Sequence, residues 1–123
     1  MAKVEKFEDL DCWKSARILV NYVYDLCERE PLSKDFSTKD QIKRAALSTM
    51  NNTAEGFGRY SDKEFIRFLE ISQASGQEVR SVSYVLLDRK YIKADEFQKL
   101  QTLANNTVNL INGLIRYLKN KKP

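Results

Sequence analysis

The sequence predicts an all-α fold, an antiparallel up-down-up-down four-helix bundle filling a single domain, residues 1–123. Three observations carry that prediction. Four segments place apolar residues at spacings of three and four, the period of a helix face, and almost nothing alternates as a strand does. The links between the segments are short, which favours antiparallel neighbours. A chain of 123 residues with 42% hydrophobic and 31% charged side chains has the balance of a globular domain that buries its own core without staples.

The first helix is expected at about 10–29, with Trp13, Ala16, Val20, Val23 and Cys27 in one stripe. Asp9 and Asp11 suit the positive end of its dipole, and Pro31 stands just past its end. The second is expected at about 38–56, capped by Ser37 or Thr38. Its stripe of Ile42, Ala45, Ala46, Thr49, Asn52 and Thr53 is mostly small, so a neighbour approaches closely. The third, at about 62–87, opens with Ser61 and Glu64 at the spacing of a capping box. Phe65, Phe68, Ser72, Ser75, Val79, Val82 and Leu86 form its stripe. The fourth, at about 94–119, carries Asp95 and Glu96 in its first turn and a heptad-like seam from Phe97 to Leu118.

Residues 51–65, NNTAEGFGRYSDKEF, join the second and third helices. A phosphate-binding loop needs a strand before it and a lysine followed by serine or threonine; this stretch has neither. It reads as a corner. Gly56 or Gly58 is expected in the left-handed conformation that ends a helix, with Glu55 and Arg59 hydrogen-bonding the free backbone groups. Folding back at residues 59 and 60 pairs Ser48 with Ile71 and Ser72, and Ala45 with Ala74 and Ser75. It also brings Arg44 to Glu78. A charge within a helix interface is costly unless partnered, so these two are expected as an ion pair.

Composition removes several chemistries. The chain has no histidine, the commonest general base and transition-metal ligand. Ser-His and Cys-His nucleophiles and the usual zinc sites go with it. Carboxylate pairs such as Glu64 with Glu70 or Asp95 with Glu96 remain, but the di-iron Glu-x-x-His motif of bundles cannot form. A non-enzyme without metal or cofactor is expected. Cys12 and Cys27 lie on one helix, roughly 22 Å apart, beyond disulfide reach. No apolar run reaches bilayer length and the N-terminus lacks a secretory signal. A reduced cytoplasmic setting follows, and the glycosylation patterns at Asn51 and Asn105 read as accidental.

The run KRAALSTMNNTAEGFGRYSDKEFIRFLEISQASGQE resembles the signature of the "four helix bundle protein" family, also called the 23S rRNA-intervening sequence protein family. Arg44, Ala45, Ala46, Ser48, Asn52, Ala54, Glu55, Gly56, Gly58 and Arg59 match its first part. Ser61, Glu64, Phe65, Phe68 and Leu69 match the second, and Ser75 and Glu78 the third. Leu10, Trp13, Lys14 and Ala16 match its opening, and Tyr91-Ile92 the pair before its last helix. Lys43, Thr49, Thr53, Ala74 and Lys90 depart from the pattern, which has glycine where Lys90 stands. The resemblance implies a four-helix bundle with no established catalytic activity. The similar accessory proteins of diversity-generating retroelements form barrel-shaped pentamers that bind nucleic acid and a reverse transcriptase. Other members are encoded inside intervening sequences of large-subunit ribosomal RNA genes. A homo-oligomer, a pentamer by resemblance, is thus expected, with RNA or DNA, a reverse transcriptase or another protein as partner and no membrane.

The net charge of +4 is unevenly spread. Lys93, Lys99, Arg116, Lys119, Lys121 and Lys122 face only Asp95 and Glu96 after residue 92, and Lys39, Lys43, Arg44 and Arg59 outnumber Asp40 and Glu55. Such regions attract phosphates by counterion release, although lysines at a helix C-terminus also suit the dipole. Lys43, Arg59, Arg116, Lys119, Lys121 and Lys122 are the candidate nucleic-acid contacts. No basic–aromatic interleaving shows in the sequence, so backbone-directed binding is expected. Gln98, Gln101, Asn105, Asn109 and Asn112 form an uncharged amide stripe on the fourth helix, suited to a subunit contact. The amide stripe and the near-neutral third helix leave open a second reading, a protein-interaction module that never touches nucleic acid.

Overall fold

The computed structural model describes residues 4–121. Four helices dominate it: α1 (Asp11–Cys27), α2 (Phe36–Phe57), α3 (Asp62–Asp88) and α4 (Ala94–Asn120). Short 3-10 turns at Phe7–Asp9 and Leu32–Lys34 precede α1 and α2, and no strand occurs among the described residues. Each helix packs on its sequence neighbours and α1 closes onto α4. Partners run in opposite numerical sense. Ser48 meets Ser75 and Thr53 meets Ser72; Gln101 meets Arg80 while Lys121 meets Asp62; Ser15 meets Thr107 while Arg29 meets Glu96.

The expected stripes are the inner faces. Ala16, Val23, Ile42, Ala46, Val79, Leu86, Leu100, Ala104 and Ile111 are fully buried. The core divides into two apolar lobes. One lies around Leu19, Val23, Ile42, Val79, Leu86 and Leu100; the other around Leu10, Trp13, Leu69, Ile111, Ile115 and Leu118. Between them is a polar waist of buried Thr49, Thr53, Ser72, Ser75 and Thr107. Its hydroxyls are satisfied locally and across helices. Ser75 donates to Ser48 at 2.7 Å and Thr53 lies 3.1 Å from Ser72, while Thr49 and Thr53 bond carbonyls of their own helix. Thr107 shares a 2.7 Å bond with Ser15 of α1.

The ends of the helices correct several expectations. Asp35, not Ser37 or Thr38, caps α2: its carboxylate accepts from the Thr38 N–H at 3.2 Å and from the Tyr91 hydroxyl at 2.8 Å. These bonds, the tyrosine's foremost, hold its pKa below the usual carboxylate range. Ser61 caps α3 through the Glu64 N–H at 3.1 Å, but the Glu64 carboxylate turns to Arg67 instead of reaching back, so the box is half formed.

Neither glycine of the corner is left-handed. Gly58 has φ −79°, ψ −1°, and no glycine has positive φ. Gly56 is required for a different reason. A Cβ there would lie 2.7 Å from the Phe68 Cβ and 3.0 Å from the Phe65 ring, so α3 crosses α2 where only hydrogen fits. The first turn of α3 overhangs the end of α2, and the pairing moves about one helical turn along: Ser48 meets Ser75 rather than Ile71 and Ser72. The left-handed residue is Lys90, φ 61°. Here α3 ends in a Schellman motif, with the Tyr91 N–H bonded to the Leu86 carbonyl at 2.8 Å and the Lys90 N–H to Leu87 at 3.0 Å.

The Arg44–Glu78 pair does not form. Arg44 is exposed and bonds Asp40 one turn back at 3.0 Å, while Glu78 accepts from Gln41. Because Arg44 is exposed, a solvated partner on its own helix wins for it, while Glu78 takes the neutral amide of Gln41 across the interface. Glu55 and Arg59 likewise pair with each other, at 3.6 Å, rather than with the free backbone groups of the turn.

Candidate nucleic-acid interface

The α2–α3 turn, the start of α3 and the last turns of α4 lie at one end of the bundle. There the fold gathers Arg59, Arg116, Lys119 and Lys121 of the sequence candidates. Lys122 lies outside the described residues. Lys43 does not join them: it sits in the first half of α2, half-buried, its ammonium 4.4 Å from the centre of the Tyr24 ring. Sixteen residues of helix put it roughly 24 Å from Arg59.

The sequence reading missed the other members of this end. Arg59 and Arg67 both lie over the Phe68 ring, each at 4.7 Å. Tyr60 is fully exposed (108%) and Tyr117 is 43% exposed. Both line a cleft of about 450 Å³, walled by Phe57, Phe65, Leu118 and Lys121. Phe57 and Phe65 meet edge-to-face at 6.0 Å beneath it. Basic and aromatic side chains therefore do interleave, but in space. The signal in the sequence was the dipeptide Arg-Tyr, occurring at 59–60 and again at 116–117.

Carboxylates accompany these cations. Lys121 lies 3.5 Å from Asp62, Arg59 pairs with Glu55, and Arg67 holds Glu64 at 3.1 Å. Hydrogen bonding by Arg67 keeps the Glu64 pKa below its ordinary value. All six side chains are about half exposed. Pairs of this kind are worth about 0–1 kcal/mol each, so the cations are only loosely held by them. Glu8, Asp9 and Asp11, exposed at the start of α1, border this end on its other side.

The amide stripe divides. Gln98 and Asn109 are exposed, Asn105 and Asn112 half-buried. Gln101 is buried and belongs to the interior: its oxygen accepts from Arg80 Nε at 3.0 Å, and its amide donates to the Arg80 carbonyl and the Ser83 hydroxyl. Its charge-free head suits a buried contact within the chain, not a surface one. Along the α1–α4 face runs an open groove. It includes a 690 Å³ hollow lined by Trp13, Arg17, Ile18, Tyr22, Lys99 and Leu103. Ile18 and Leu110 stand out along it, 58% and 41% exposed.

The chain matches a known group over most of its length. The family model described as 23S rRNA-intervening sequence protein matches residues 8–113, from the first 3-10 turn into the last turns of α4. The chain belongs to that family. A solved structure of a protein of unknown function from the S23 ribosomal protein family of Bacteroides thetaiotaomicron is similar, with a TM-score of 0.78 at 19% identity. The match covers 85% of this chain and 98% of that one, and at such identity it speaks for the fold alone. No curated protein matches the chain. The family bundle carries, among its described residues, no helix long and apolar enough to cross a membrane and no group of three metal-ligating side chains. Cys12 and Cys27 are both free and buried. Burial raises both thiols, Cys12 to about 11.

Proposed function

We propose that this member of the 23S rRNA-intervening sequence protein family is a non-enzymatic, homo-oligomeric accessory factor that binds RNA or DNA through the basic end of its bundle. One observation carries the reading: Arg59 of the α2–α3 turn lies at the same end of the bundle as Arg116, Lys119 and Lys121 of α4, and the carboxylates paired with Arg59 and Lys121 are solvent-exposed and weakly held. Four cations meeting phosphates of a single strand give log K against log salt a slope of about −3. The absence of histidine supports a role without acid–base catalysis. The exposed Ile18 and Leu110 beside Asn109 support self-association through the α1–α4 face, with the pentamer implied by resemblance as the assembly and the cytoplasm as the setting.

The test is fluorescence anisotropy of a labelled RNA oligonucleotide across a salt series. Binding at low salt with the stated slope, reduced by Arg116→Gln with Lys119→Gln and unchanged by Lys43→Gln, supports the reading. Absence of binding at low salt overturns it. The same groove favours a second reading, a protein-interaction module that engages a partner such as a reverse transcriptase without nucleic acid. Capture of one partner protein, unchanged by nuclease, distinguishes it.

A further inference from the structure

We infer that Tyr60 and Tyr117 form a base-stacking platform at the basic end, making the interface selective for unpaired strands. The inference rests on the nucleic-acid reading and specifies its ligand. Tyr60 presents its whole ring to water at the tip of the α2–α3 turn, and no side chain packs over it. Burying an aromatic body is strongly favourable, so an uncovered ring beside an apolar cleft is a surface awaiting a flat partner. Tyr117 lines the same cleft from α4, with Phe57 and Phe65 as its floor. Each tyrosine follows an arginine, Arg59 and Arg116, and Lys121 closes the rim.

A single strand offers unstacked bases and phosphates together, which matches rings set among cations. A duplex hides its base faces and offers phosphates only. An acidic peptide satisfies the cations and leaves the rings uncovered. Charge and aromatic exposure together thus favour the unpaired strand over either.

The discriminating pair is a labelled oligothymidylate and an abasic strand of equal length, which carries the same phosphates without bases. The oligothymidylate is expected to bind about tenfold or more tighter, in line with the contribution of one stacked base. Tyr60→Ala and Tyr117→Ala each remove most of that difference while leaving the salt slope unchanged, and Tyr60→Trp restores it. Circular dichroism confirms the fold of each variant; Tyr60 is fully exposed, so its removal leaves the core intact. Equal binding of the two strands overturns the stacking inference and leaves the nucleic-acid reading standing. Binding of neither at low salt overturns both, as does tyrosine-dependent capture of an acidic peptide without strand binding.

Discussion

The two glycines of the α2–α3 corner respond oppositely to a single methyl group. At Gly56 an added Cβ meets the Phe68 Cβ at 2.7 Å, well inside carbon–carbon contact. That atom is fixed to the α3 backbone and has no rotamer by which to move aside, so the helices must separate. Overpacking of this kind costs about 1–3 kcal/mol, and the better helix propensity of alanine returns about 0.5–1 kcal/mol. Gly56→Ala is therefore expected to destabilise the bundle by about 1 kcal/mol, the difference of the middles of those ranges. At Gly58 the nearest atom to an added Cβ is the Glu55 carbonyl oxygen at 3.6 Å, and the backbone is right-handed. Gly58→Ala should stabilise by about 0.4–1 kcal/mol, because it narrows the unfolded ensemble without strain. Urea unfolding of the two variants beside the parent chain measures both. The reasoning is refuted if Gly58→Ala is the more damaging change, since that ordering belongs to a left-handed helix stop at the second glycine.

Lys90 has φ 61°, a region that costs a side-chain-bearing residue about 1–2 kcal/mol, so Lys90→Gly should raise the urea midpoint despite its added chain entropy. Gln101→Leu removes the acceptor of the half-buried Arg80 Nε, while the Ser83 hydroxyl keeps its bond to the Arg80 carbonyl, and should cost about 0.5–1.5 kcal/mol in the same assay. The carboxyl of Asp35 is held low chiefly by the Tyr91 hydroxyl, and that of Glu96 chiefly by Arg29. A folded pKa below the unfolded one gives stability that is complete above the unfolded value and lost as pH falls through the folded one. Stability should therefore decline below about pH 4, and Tyr91→Phe should flatten that decline when unfolding is followed against pH. Cys12, raised to about 11 by burial, should react with a thiol reagent at neutral pH only at the rate of unfolding.

Helix existence and inner faces were legible because a 3.6-residue period repeats over many turns. Each expected stripe residue from Trp13 to Leu118 is buried or half-buried. What sequence could not carry was the relation between helices. The Arg44–Glu78 pair failed although the shifted register sets the two nearly level, because Arg44 is exposed to water and a partner one turn back on its own helix, Asp40, is nearer. Gly56 was correctly singled out for the wrong reason, since a glycine needed for close approach and one needed for left-handed geometry look alike as letters. Lys90, an ordinary lysine in the sequence, holds the conformation assigned to the glycines. The candidate site suffered most. Its cations were visible, but its tyrosines belong to two dipeptides that only the closing of α4 onto α3 brings to one end. Gln101 shared the spacing of its stripe and yet turns inward, because Arg80 and Ser83 on the facing helix offer it three bonds.

The polar waist also bears on motion. Helices that meet through small side chains can ratchet past each other by one turn, about 5.4 Å. Here Ser48 with Ser75, Thr53 with Ser72 and Ser15 with Thr107 act as latches that engage in a single alignment. A slipped pair would face hydroxyls with methyl groups in a dry interior. The shaft of the bundle is thus locked at mid-length, and the freedom to rearrange is left to its tips.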